Sequence, residues 1–65
     1  MKSDEMLSQE YLSTAEIIRA HIRAAKMESG PDLGGKRARR IAILTEMYEE
    51  CRMVGHLLHR RTGAR

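Results

Sequence analysis

The chain has 65 residues, with 42% hydrophobic and 32% charged side chains, a formal net charge of +3 and one cysteine. This composition is too apolar for a disordered tail, and a lone Cys51 forbids an internal disulfide. One domain of this size seldom gains more than about 3–5 kcal/mol from a single core, so oligomerisation is the expected remedy. The opening stretch MKSDEMLSQEYL has neither the apolar run of a signal peptide nor the length of a membrane span. A cytoplasmic location without a membrane partner is therefore expected.

The first segment, from Asp4 to Met27, contains no Gly or Pro and is filled with good helix formers. It predicts a helix over about 3–28. Ser3 is placed to cap it, Asp4 and Glu5 fall in its first turn, and Gly30 followed by Pro31 is the expected stop. Leu7, Tyr11, Thr14, Ile18, His21 and Ala25 step by three and four, with Ala15 and Ile22 alongside, and form its predicted seam.

The connector, about 29–35, reads SGPDLGG and holds four helix breakers in seven residues. With the next two residues it nearly matches the phosphate-cradle pattern G-x-x-x-x-G-K, but Arg37 stands where a Ser or Thr hydroxyl would hold magnesium. A helix precedes it where a strand is needed, and the chain is too short to build the sheet. Gly34 and Gly35 are expected to be turn residues with positive φ, and Asp32 to accept hydrogen bonds from the turn backbone.

The second segment predicts a helix over about 35–61, with a frayed tail at 62–65. Its seam is Ile41, Leu44, Tyr48, Cys51, Gly55 and Leu58. The fold class is all-α: one domain over 1–65, an antiparallel two-helix hairpin. Pairing the seams through the connector sets Tyr11 against Gly55, where the missing side chain leaves room for the ring.

Each helix carries a second apolar stripe that a lone hairpin cannot cover. On the first it comprises Met6, Ile17, Ala20, Ala24 and Met27; on the second, Ile43, Met47, Val54 and Leu57, interrupted by Glu50. Apolar arcs this wide belong to helices with neighbours on two sides, which predicts a homodimeric four-helix bundle, or else docking of an unidentified protein partner. Glu50 then needs a partner such as an arginine from the other chain.

Charge is uneven along the sequence: residues 1–16 carry −3, 17–45 carry +5, 46–50 carry −3 and 51–65 carry +4. The second helix opens on KRARR, against its own dipole. This run is either solvated surface or an anion site that combines free backbone N–H groups with the cations. The nucleic-acid contact candidates are Arg23, Lys26, Lys36, Arg37, Arg39 and Arg40.

No catalytic, cofactor or metal site is expected. His56 and His59 could share a helix face, but His21 is three turns away, and histidines near a helix C-terminus more often complement its dipole. Cys51 on the seam reads as a small apolar filler, and Met53 should point outward. The expected function is that of a small non-enzymatic protein, a dimeric interaction or regulatory adaptor. The alternative is an electrostatic nucleic-acid-binding regulator that uses the basic turn end.

Overall fold

The computed structural model describes residues 3–63, with side chains to residue 61. Helix α1 (Asp4–Lys26) packs against helix α2 (Lys36–Gly63) across a connector that contains one short turn of helix at Leu33–Gly35. The helices are antiparallel. Arg61 reaches Asp4 at one end of the hairpin (3.6 Å), and Arg40 reaches Glu28 at the other (2.6 Å).

Local chemistry sets the helix ends. The Ser3 hydroxyl accepts from the Met6 amide at 3.2 Å, with Asp4 and Glu5 in the first turn, while Arg23 and Lys26 occupy the last turn of α1. Both charge signs suit the helix dipole. The helix stops at Lys26, two residues before the expected end; the Met27 amide turns back to the Arg23 and Ala24 carbonyls, and Glu28 belongs to the connector. α2 continues past Arg61 to Gly63, so the expected fraying falls on two helical residues and on 64–65, which lie outside the described residues.

The seam is thin. Ala15, Ile18 and Ala25 are its buried apolar side chains among the described residues, and the largest fully buried side chain is Ser8. Leu7, Leu12 and Ile22 of α1 are half-buried, as are Ile41, Leu44, Tyr48, Cys51 and Leu58 of α2.

The expected register needs correction at the open end. Tyr11, Thr14 and His21 are exposed, and Gly55 meets Ser8 and Leu12 instead of Tyr11. The Ser8 hydroxyl donates to the Gly55 carbonyl at 2.7 Å, and a methyl group at Gly55 would lie 2.7 Å from Leu12 Cγ and Cδ2. Such closeness admits no aromatic ring. The contact line has moved around α1 toward small and aliphatic residues that let the helices approach.

Size and surface fit this thin core. The radius of gyration is 15.1 Å and the extents are 51 × 18 × 13 Å, whereas a compact domain of this length has a radius of about 11 Å. The accessible surface is 5345 Å², roughly 1,100 Å² more than a folded monomer of this mass ordinarily keeps. Among the described residues no helix is long and apolar enough to cross a membrane.

Candidate functional site

Two features stand out: an apolar arc on each helix and the basic turn. On α2, Ile43, Met47, Glu50, Val54 and Leu57 fall within an arc of roughly 80° at 100° per residue. All but half-buried Val54 are exposed, Ile43 at 53%, Met47 at 45% and Leu57 at 48%. On α1, Ile17, Ala20, Ala24 and Met27 fill a similar arc and are all exposed, Ile17 at 60% and Met27 at 78%.

At 100° per residue the α1 arc centres roughly 180° from the seam side chains Ser8, Ala15, Ile18, Ile22 and Ala25, so it faces largely away from α2, whereas the α2 arc flanks its seam. Ala24 of α1 lines a shallow hollow between the helices together with Leu44 and Arg40 of α2. A second hollow further along lies between Leu7, Tyr11 and Thr14 of α1 and Cys51 of α2. Met6 and Met53 are exposed as well, the latter as its spacing predicts. More large apolar side chains therefore face solvent than are buried in the seam, the reverse of what a self-sufficient core requires.

The turn is built around two carboxylates. Asp32 accepts from the Arg37 amide through Oδ1 (2.7 Å) and from the Ala38 amide through Oδ2 (2.9 Å), so it caps α2. These two amide donors hold its carboxyl below the usual carboxylate range, outweighing desolvation, with lesser help from the positive charges of Arg37 and Arg40. Gly34 and Gly35 both sit at φ 70°, as expected, and the Gly35 amide closes the turn onto the Asp32 carbonyl at 3.2 Å.

Glu28 is the second carboxylate. Arg40 donates to its Oε2 at 2.6 Å, and Arg37 Nε lies 3.3 Å from the same oxygen, near enough for attraction but off the hydrogen-bond direction. Arg37 Nη2 also donates to the carbonyls of Gly30 (3.2 Å) and Ser29 (3.4 Å). The six basic candidates thus divide. Arg37 and Arg40 serve the turn, whereas Arg23, Lys26, Lys36 and Arg39 have no ion pair among the described residues.

The anion site imagined from free backbone N–H groups is corrected by this geometry: Asp32 already occupies the Arg37 and Ala38 amides. The sequence reading also missed Glu28 as a turn residue, although its place just before SGPD was the available signal. Arg19 bonds Glu16 on its own helix at 3.9 Å, with both side chains more than half exposed, which adds little stability.

Other chemically capable groups are dispersed. Among the described residues, no three His, Cys, Asp or Glu side chains come together as a metal cage. His21, His56 and His59 are all exposed, Cys51 is half-buried, and Tyr48 carries the Arg52 guanidinium 5.7 Å from its ring centre. No protein-family model, curated protein or solved structure matches the chain.

Proposed function

We propose that this chain is a small non-enzymatic helical-hairpin protein that acts as a dimeric protein-interaction or regulatory adaptor, with two hairpins forming a four-helix bundle. The observation that carries the reading is the exposure of Ile17, Met27, Ile43, Met47 and Leu57 on a hairpin whose buried apolar side chains, among the described residues, are Ala15, Ile18 and Ala25. The surface excess of roughly 1,100 Å² over a compact monomer is of the size one partner contributes to a standard stable interface, about 800 Å².

The polar groups support a scaffold role. Asp32 caps α2, Glu28 ties down Arg37 and Arg40, and Ser8 joins the helices, so each is consumed by architecture. A single half-buried cysteine suits a reducing cytoplasm. Multi-angle light scattering tests the dimer through the mass, and alanine or charge substitutions at Met47 and Ile43 test the face. A monomer with full helicity would contradict it.

A second reading has its own observation. Arg23, Lys26, Lys36 and Arg39, without ion pairs among the described residues, are available to phosphates at the turn end. Fluorescence-anisotropy titrations with RNA hairpins and duplex DNA over a salt series test this reading. Binding that weakens steeply with salt and is lost in the Lys36/Arg39 alanine variant supports it; no binding at low salt rejects it.

A further inference from the structure

The dimer face contains a feature that two isolated hairpins do not satisfy. Along α2, Lys36, Arg39, Glu50 and Arg61 share the arc of Ile43, Met47, Val54 and Leu57 at 100° per residue, with Arg39 and Glu50 on either side of Ile43 and Met47. Arg39 and Glu50 are both exposed, and neither has an ion pair among the described residues. A parallel two-fold pairing of α2 with itself would set Arg39 on Arg39 and Glu50 on Glu50. It would also bring two copies of KRARR together, and like charges facing each other across an interface are strongly disfavoured.

An antiparallel pairing removes both conflicts. If residue numbers facing each other total about 90, the two-fold axis lies level with Thr45, Ile43 packs against Met47 of the second copy, and Arg39 reaches its Glu50. The same register brings Leu57 to the partner's turn, where Leu33 is 78% exposed in this hairpin. Ile43 then meets Met47 and Arg39 meets Glu50, while Val54 faces the aliphatic stem of Lys36.

Resting on the dimer reading above, we propose that the occupant of this face is a second copy of the chain, docked antiparallel along α2 in this register, with reciprocal Arg39–Glu50 pairs flanking an Ile43–Met47 centre. The two basic turns then lie at opposite ends of the bundle.

Sedimentation equilibrium of wild type, Arg39→Glu, Glu50→Arg and the double exchange tests the register. Each single change places two like-charged pairs in the interface and should weaken dimerisation at least roughly tenfold, while the double exchange should restore it. Both sites are exposed on helices, so circular dichroism at concentrations well above each variant's dissociation constant should report unchanged helicity. A spin label at Lys36→Cys in a Cys51→Ser background gives an independent distance. Antiparallel docking separates the two labels by about 27 Å along the axis at 1.5 Å per residue, and parallel docking brings them side by side. Dimeric single variants as tight as wild type, or labels in close proximity, would overturn the register while leaving the dimer intact. A monomeric wild type would overturn the dimer reading itself.

Discussion

The Ser8 hydroxyl donates a 2.7 Å hydrogen bond to the carbonyl of Gly55, a buried contact that joins the two helices. Glycine inside a helix costs roughly 1 kcal/mol relative to alanine, so its presence here requires a compensating use. That use is space: an added Cβ would sit 2.7 Å from Leu12 side-chain atoms and 3.3 Å from the Ser8 carbonyl oxygen. Gly55→Leu should therefore destabilise the hairpin by about 1–3 kcal/mol through over-packing, despite leucine's better helix propensity. Thermal melts followed by circular dichroism at fixed concentration measure this, and a raised Tm would show that the helices do not meet closely at Gly55.

Removing the hydroxyl alone is a milder change. Ser8→Ala keeps the small volume that the crossing needs and loses one interhelical hydrogen bond, with an expected cost of about 1 kcal/mol. Urea unfolding should show a lower midpoint with an unchanged slope. A midpoint equal to wild type would mean that the bond adds nothing beyond fit.

Asp32 links the turn to pH. Its carboxyl is held low first by the Arg37 and Ala38 amides, so the folded state favours the ionised form. The associated stability is present above the ordinary Asp value of about 3.9 and is lost as pH falls from there through the lower folded value. Asp32→Asn should remove this part of the acid dependence, and Asp32→Ala should lower the Tm at neutral pH. Tm measured from pH 7 to pH 2 would contradict the capping role if the acid slopes of wild type and Asp32→Asn coincide.

Gly34 and Gly35 test the turn differently, because no atom stands within 4 Å of where their side chains would be. Any penalty is then one of backbone conformation, about 1–2 kcal/mol for a left-handed alanine. Gly34→Ala should destabilise by that amount and Gly34→Asn by less, since asparagine tolerates positive φ. Equal stability of Gly34→Ala and wild type would mean that the turn readily adopts another form.

Much of the fold was legible in the sequence for local reasons. Ser3 before Asp4 and Glu5 is a capping pattern, paired glycines after Asp32 demand an unusual turn, and both operate within a few residues. The contact line between helices was less legible. A strict three-and-four spacing selected Tyr11, whereas the packed helices use Ser8 and Leu12, and a serine followed by glutamine carries no apolar signal.

For the candidate surfaces, the sequence identified Ile17, Met27, Ile43, Met47 and Leu57 as a second stripe, and all five remain exposed in the hairpin. It also identified the basic run but not its internal division. Arg37 and Arg40 meet Glu28 only because α1 stops at Lys26 and releases Glu28 into the connector, a boundary that helix propensity does not fix. With that clamp in place, Glu28→Gln should cost little stability, about 0.5 kcal/mol for such partly exposed pairs. It should also strengthen any polyanion binding by freeing two guanidinium groups. An unchanged or weaker affinity in low-salt anisotropy titrations would argue against the turn end as the contact surface.

The open apolar face bears on all of these readings, and its most direct test is the mass of the wild-type chain in solution. Light scattering across a concentration series should give about twice the 7.4 kDa chain mass, with dissociation on dilution accompanied by loss of helicity. A constant 7.4 kDa species that retains full helicity would contradict the dimer and return the face of Ile43, Met47 and Leu57 to a different protein partner.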